Sequence, residues 1–402
     1  MDKERQQKIY TLLKRGLKLT ENGDELPTEW AREFFPPERR EYELVYNGKT
    51  SEEQILADTM AVPLQPVSTF GQNGVDWQNK LIFGDNLQAM KTLLQMKERG
   101  ELVNADGTSG VRLIYIDPPF STKRDFRGSQ DQKAYQDKIA GAEFLEFLRQ
   151  RLVLMKELLA QDGSIYVHLD WKKGHYAKIL MDEIFGENNF KNEIVWSYQR
   201  WTATSDAFQK THEALFYYAK SKTKGKFYSQ MEPYSEKSAH QAKRQTIVKE
   251  GKLIQSYTED AVREKSMRDV WEISIINSQA KERIDYPTQK PEALLERIIK
   301  STTDEGDIVL DAFAGSGTTP AVAEKLGRRW IAMDVGKLAV YTMQKRMLNL
   351  REEIGNTGKP LTAKAFTLYN AGLYDFESLR QLPWDGWRSI ALQLFECKDE
   401  PH

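Results

Sequence analysis

Asp117-Pro118-Pro119-Phe120 directly follows the apolar run Ile114-Tyr115-Ile116. Two prolines straight after a buried strand remove two N–H donors and fix two φ angles, which makes a rigid corner rich in carbonyl groups. Such a corner suits a planar amine. The exocyclic amine of a nucleic-acid base is a poor nucleophile, because its lone pair is delocalised into the ring. The Asp117 carboxylate and the Pro118 carbonyl can each accept one N–H and so aim the lone pair at a methyl group. The charge on Asp117 would also stabilise the positive charge that grows on nitrogen during in-line displacement. Phe120 would stack on the base, a contact worth about 1–3 kcal/mol on comparable platforms.

A second turn comes much later. Ile308-Val309-Leu310 leads into Asp311-Ala312-Phe313-Ala314-Gly315-Ser316-Gly317-Thr318-Thr319. Glycines between a strand and a helix let backbone approach a ligand closely, and the helix N-terminus offers unpaired N–H groups. A phosphate loop is disfavoured because no Lys precedes the Thr pair, and a dinucleotide turn would carry three spaced glycines where two are present. The next apolar run, Arg329 to Met333, ends in Asp334, about 20 residues on, where an acid can accept hydrogen bonds from both hydroxyls of a ribose. One turn for an amine and one for a nucleotide-like cofactor together suggest methyl transfer from S-adenosylmethionine to a base.

The elements that must position these turns alternate along the chain. Val111 to Ile116 is a continuous apolar strand interrupted only by Arg112, and Gly141 to Ala160 places its Phe, Leu and Met residues at helical spacing. Ser164–Leu169 is a strand, Tyr176–Phe185 a helix, and Glu193–Ser197 and Ala214–Tyr218 are further strands. After a polar stretch, the rhythm returns as helix 290–302, strand 307–311, helix 317–326, strand 329–334 and helix 336–351. Such alternation implies a parallel sheet covered on both faces. The expected segments are an N-terminal extension (1–80), a catalytic half (81–219), a target-recognition region (220–285), a cofactor-binding half (286–352) and a C-terminal extension (353–402).

The 402 residues are 40% apolar and 29% charged, as in a soluble globular protein. No apolar run is long enough to span a membrane and no secretory leader is visible, so a cytoplasmic protein with no membrane partner is expected. A single cysteine, Cys397, excludes an intramolecular disulfide and a cysteine-rich zinc site, and five scattered histidines suggest no metal. The net charge of −1 hides a local excess: residues 220–250 carry eight Lys or Arg against three acids.

Taken in order, Asp117-Pro118-Pro119-Phe120, Pro287-Thr288-Gln289-Lys290-Pro291 and the Asp311–Thr319 turn resemble the β-class amino-methyltransferases of DNA (adenine-N6 and cytosine-N4), including modification subunits of restriction-modification systems. The resemblance covers residues 81–350. It implies a seven-stranded, Rossmann-like, S-adenosylmethionine-dependent fold, circularly permuted and carrying an inserted target-recognition region, with the strand ending at Asp311 beside the strand ending at Asp117. Adjacent strands lie roughly 4.8 Å apart, so both turns would meet at one sheet edge. It further implies that Asp85, with Asn86 beside it, meets the cofactor's adenine. Thr288, Gln289 and Lys290 would close over its methionine part. Phe313, Ala314, Gly315, Ser316, Gly317 and Thr318 would wrap around it, and Asp334 would bind its ribose. Tyr166-Val167-His168 and His212-Glu213 fall where relatives line the base pocket. Phe120 replaces the Tyr common in relatives.

A base within a duplex cannot reach such a corner, so the target would be flipped out of double-stranded DNA. The region 220–285 mixes Lys and Arg with Phe227, Tyr228, Tyr234, Tyr257 and Trp271. The segment Trp271, Asn277, Lys281, Glu282 and Arg283, just before the lid, is expected to be ordered against the site. A homodimer or a restriction or defence-system subunit could complete target reading. Asp at the head of the motif points to adenine-N6, where cytosine-N4 enzymes more often carry Ser. The alternatives are cytosine-N4 methylation, methylation of RNA or of a protein glutamine (whose enzymes favour Asn at that position), and a DNA-binding subunit without catalysis.

Overall fold

The computed structural model describes residues 42–71, 77–119, 125–127, 133–136, 141–200, 207–233, 244–249, 252–257, 264–372, 383 and 388. The described residues 42–45 belong to one unit and those from 46 on to another, and the sheet belongs to the second. Phe120, Tyr234, Lys237, Lys243, Cys397 and most of the N-terminal extension lie outside the described residues.

In chain order the strands of the main sheet are β1 (Leu64–Phe70), β2 (Asn79–Phe83), β3 (Val111–Ile116), β4 (Leu159–Leu169), β5 (Phe190–Ser197), β6 (His212–Ala219), β7 (Val270–Glu272), β8 (Ile308–Asp311), β9 (Arg329–Asp334) and β10 (Phe366–Ala371). Among the helices are α1 (Asn86–Glu98), α2 (Ala142–Leu158), α3 (Gly174–Phe185), α4 (Glu292–Thr302), α5 (Thr318–Lys325) and α6 (Lys337–Met347); a short helix, Glu52–Asp58, precedes them. The spatial order is β1-β10-β2-β9-β8-β3-β4-β6-β5-β7. From β10 to β4 all neighbours are parallel; β6 runs against both β4 and β5.

The central strands are buried along their whole length, which is why they read as unbroken apolar runs. Leu113 and Tyr115 of β3 share a core with Val309, with Leu294, Leu295 and Ile298 of α4, and with residues of α5 and α6. Alternation then turns Ile114 and Ile116 to the opposite face. Pairing of Val309 with Leu113 and Leu310 with Ile114 sets β8 beside β3, so the turns after Ile116 and Asp311 leave the same carboxyl edge.

One expectation needs correction. The sheet has ten strands, not seven. The alternation anticipates six of the middle seven, all but β2, and three more strands extend these. β10 pairs along β2, β1 pairs along β10, and β7 joins β5. Covering β2 removes an open parallel edge. β1 was illegible because most of its residues are exposed, so no period-two apolar face marks it. Part of the charge excess in 220–250 is engaged away from the site, although Lys222 and Lys224 are exposed. β6 ends at the amino edge of the sheet, and Lys220 is drawn inward there, donating to the Leu159 carbonyl at 3.0 Å. Burial, with Lys97 adding to it, pulls its pKa down to about 8. Lys226 is likewise engaged, 2.7 Å from Asp304 and 3.3 Å from Asp106.

Arg112, the one charge in β3, is explained at the same amino edge. Its fully buried guanidinium meets Asp307 at 3.1 Å, Asp106 at 2.7 Å and Asp162, tying the starts of β8, β3 and β4 together. Removing one partner of a buried ion pair leaves an uncompensated charge and costs about 3–5 kcal/mol. Arg112→Met should therefore lower the urea midpoint by that equivalent at an unchanged m-value, because Asp307 would remain buried.

Candidate active site

Along the carboxyl edge, one cavity of about 350 Å³ takes in both turns. Its lining includes Asp117, Pro118 and Pro119 from the first turn, Asp311 to Ser316 from the second, and Asp85, Thr288, Lys290 and Asp334. That volume lies in the range of small-molecule sites.

The Asp311 carboxylate builds its own turn. Oδ1 accepts from Phe313 N at 3.0 Å and Oδ2 from Thr319 Oγ1 at 2.5 Å, stapling the loop to the first turn of α5. Burial lifts its pKa to about 7 against those two bonds, and the charges of Asp117 and Asp334 push the same way. Asp334 uses both oxygens as well: Oδ2 accepts from Gly315 N at 2.9 Å and Oδ1 from Gly336 N at 2.7 Å. Burial raises its pKa, opposed by those N–H groups.

The two glycines of the turn do different work. Gly315 holds φ at +48°, and a Cβ there would meet nothing nearer than Tyr286 at 3.6 Å. Gly317 caps α5 at φ +73°, where a Cβ would fall 2.6 Å from Met343 Cγ. It is needed for helix packing and does not line the cavity.

On the other side, Asp85 caps α1, with Oδ1 accepting from Leu87 N at 2.8 Å and Gln88 N at 3.2 Å. Asn86 donates to the Ala312 carbonyl at 2.7 Å, linking this cap to the Asp311 turn. Arg151 of α2 binds both, its Nε donating to Asn86 Oδ1 at 2.6 Å and its Nη2 to Asp85 Oδ2 at 3.2 Å. Its guanidinium lies 3.6 Å from the Phe147 ring centroid, and Phe147 sits 6.0 Å from Phe313.

The stretch 286–290 covers the cavity. Thr288 lines it with φ at +62°, a left-handed conformation uncommon for a β-branched residue. Gln289 turns away and fastens the loop, accepting from Ile284 N at 3.0 Å and donating to the Glu282 carbonyl at 2.6 Å. Glu282 in turn caps α4 through Glu292 N at 2.8 Å. Trp271 packs in the core and donates to the Arg268 carbonyl.

Lys290 points to the catalytic corner. Its ammonium lies 3.2 Å from Asp117 Oδ2 and 2.9 Å from Glu213 Oε2. Burial alone would lower its pKa, but the Asp117 and Glu213 carboxylates more than offset that and raise it. His168, fully buried, lies 2.7 Å from Glu213 Oε2 through Nε2 and 2.8 Å from Tyr115 OH through Nδ1. Asp117 Oδ1 is buried and has no hydrogen-bond partner among the described residues.

Further along the carboxyl edge, beyond β4 and before β6, aromatic and cationic side chains interleave. Trp171 is 46% exposed and Phe208 97%. Lys210 lies 4.1 Å from the Trp171 ring, and Lys173 lies 5.7 Å from both Phe144 and Tyr176. Among the described residues no carboxylate pairs with Lys173 or Lys210.

Of the residues singled out by sequence, the cavity gathers Asp85, Asn86, Asp117, Pro118, Pro119, Thr288, Lys290, Asp311, Phe313, Ala314, Gly315, Ser316, Thr318 and Asp334. Gln289 and Gly317 stand behind the wall. Sequence reading missed Tyr115, Phe147, Arg151 and Tyr286. Arg151 carried a faint signal, a charge next to Leu152 on the buried side of its helix.

The DNA methylase family model of N6/N4 methyltransferases matches residues 111–345, and the chain belongs to that family. It is similar to the type II methyltransferase M.EcaI of Enterobacter cloacae, 27% identical over 377 residues, covering 80% of this chain and 81% of that protein. It is also similar to the DNA adenine methyltransferase YhdJ of Escherichia coli strain K12, 28% identical over 246 residues, covering 61% of this chain and 78% of that protein. The solved structure of the PvuII DNA methyltransferase (cytosine-N4-specific) aligns with 68% of this chain and 87% of its own at 17% identity and a TM-score of 0.46. By that family the chain is a DNA methyltransferase, and S-adenosylmethionine is its methyl donor.

Two outcomes follow from this geometry. Gly317→Ala should destabilise by more than Gly315→Ala, which carries only left-handed strain of about 1–2 kcal/mol; thermal unfolding of both variants checks the order. For Asp311, a folded-state pKa raised above the ordinary 3.8 means the folded chain binds the proton more tightly. That stabilisation is full below about pH 4 and is lost as pH rises through about 7. Relative to Asp311→Asn, the ligand-free wild type should lose stability across that window, by at most about 1.4 kcal/mol per pH unit, read by urea unfolding at several pH values.

Proposed function

We propose that the chain methylates the exocyclic N6 amine of an adenine flipped out of double-stranded DNA. The observation that carries this reading is Asp117 Oδ1, a buried acceptor without a partner in the cavity that also holds Asp311 and Asp334. An unmet buried acceptor costs about 1–3 kcal/mol and more when charged, so a substrate N–H there has a ready place.

The cavity suits the donor. Bound S-adenosylmethionine supplies an electrophilic methyl group on a positively charged sulfur. Carboxylates from Asp311, Asp334 and Asp85 favour a cationic ligand, and each Asp334 oxygen, though engaged once, retains a lone pair for a ribose hydroxyl. Phe313, with Phe147 behind it, offers an apolar wall for a purine. Thr288, held in its unusual backbone conformation by the Gln289 bonds, closes the cavity from above.

At the amine, Asp117 Oδ1 accepts one N–H and the Pro118 carbonyl the other, which turns the lone pair into the cavity. The Asp117 charge stabilises nitrogen as it becomes positive. Phe120 is assigned to stack on the base, as its place in the motif suggests. The exposed Trp171, Phe208, Lys173 and Lys210 are assigned to the DNA flanking the flipped base, by charge and stacking. Target reading is assigned to the 220–285 region, and the permuted order of catalytic and cofactor halves is part of the same reading. The resemblance to a type II methyltransferase supports a modification role beside a restriction partner.

The test is direct. Purified protein, labelled S-adenosylmethionine and unmethylated DNA, digested to nucleosides, should place label in N6-methyladenine. Label in N4-methylcytosine alone, or in RNA in preference to DNA, defeats the reading. Asp117→Ala should lower transfer by roughly 10²–10³ while cofactor binding by equilibrium dialysis persists. Lys173→Ala with Lys210→Ala should weaken DNA binding at low salt and flatten its salt dependence by about two units of slope.

A further inference from the structure

The two oxygens of Asp117 are in unlike situations. Oδ2 lies 3.2 Å from the Lys290 ammonium, and Oδ1 is buried without a hydrogen-bond partner among the described residues. A carboxylate with one oxygen held by a fixed cation cannot rotate freely, so the oxygen presented to an amine is already chosen. Lys290 is itself fixed on its far side by Glu213 Oε2 at 2.9 Å. Glu213 is held in turn: Oε1 accepts from Tyr198 OH at 3.2 Å, and Oε2 lies 2.7 Å from His168 Nε2. His168 Nε2 comes close to Glu213 without hydrogen-bond geometry, and Nδ1 shares a hydrogen bond with the Tyr115 hydroxyl at 2.8 Å.

The charges in this cluster explain why Glu213 is there. Lys290 beside Asp117 would by itself form a neutral pair, a weak stabiliser of a nitrogen that becomes positive. Glu213 returns the cluster to a single net negative charge while keeping the clamp. Burial strengthens each of these interactions relative to water.

We infer that Glu213 and Lys290 are positioning residues for methyl transfer: together they hold Oδ2 of Asp117 so that Oδ1 alone meets the amine, and Glu213 cancels the charge of the clamp. The inference rests on the base-amine reading of the site. It moves Lys290 from the cofactor's methionine end, where resemblance placed it, to the carboxylate that acts on the substrate.

The groups facing Asp117 are Lys290 from the covering loop, Glu213 from β6, His168 from β4, Tyr115 from its own strand and Asp311 from β8. Replacing Lys290 by Met removes the cation from this group of carboxylates; replacing Glu213 by Gln removes one carboxylate and keeps the cation. Steady-state methylation of DNA by the full chain between pH 5 and 9 separates the two. Glu213→Gln should lower kcat by 10- to 100-fold with KM for S-adenosylmethionine within two-fold and no upward movement of the acid limb. Lys290→Met should lower kcat and move the acid limb up by at least one pH unit, and Lys290→Arg should restore most of kcat. Tyr198→Phe, which removes one hydroxyl from Glu213, should cost a few-fold in kcat and tests the same chain of contacts if the charge variants do not fold. Glu213→Gln or Tyr198→Phe at wild-type kcat, or an unmoved acid limb in Lys290→Met, overturns the inference. A wild type that places no label in adenine overturns the functional reading instead, so the two failures are told apart.

Discussion

The parallel pairing of β3 with β8 is the constraint on which the site depends. Only Val309 with Leu113 and Leu310 with Ile114 are paired, yet that short register decides that Asp117 and Asp311, far apart in the chain, leave the same edge into one cavity. A slip by one residue would turn every side chain of a strand to the opposite face and send Tyr115 away from His168. The register is held from below by Arg112, whose contacts to Asp307 and Asp162 fix the starts of the neighbouring strands. A charge that looks misplaced within an apolar strand thus sets the alignment at the opposite end.

The cavity concentrates carboxylates. Asp85, Asp117, Asp311 and Asp334 line it, and burial raises the pKa values of Asp311 and Asp334. Backbone N–H groups and Lys290 offset part of the repulsion among them. Gly315 N and Gly336 N hold Asp334, and Phe313 N holds Asp311.

Much of the fold could be read from sequence, because fully buried parallel strands are continuous apolar runs and the α2 helix carries its apolar residues at helical spacing. The catalytic and cofactor turns were legible because Pro-Pro and Gly-x-Gly have few structural uses directly after a strand. What escaped had physical reasons. β1 is mostly exposed, and β7 is three residues long. Arg151 and Tyr115 act through contacts between elements far apart in sequence, which spacing cannot reveal. The lysines after residue 220 counted as a basic patch, yet Lys220 and Lys226 are consumed by a backbone carbonyl and by aspartates at the amino edge. Lys290 was assigned by its neighbours in the motif, whereas its direction is set by where β6 presents Glu213.

Gly84 sits between β2 and α1, where a Cβ would fall 2.5 Å from the Ala371 carbonyl oxygen at the end of β10. The absent side chain lets the outermost parallel strand press against the very turn that carries Asp85. The flank of the sheet therefore acts as a buttress for this side of the cavity, and slackening β10 would be felt there as a shift of the helix cap, although the strand contributes no residue to the cavity wall.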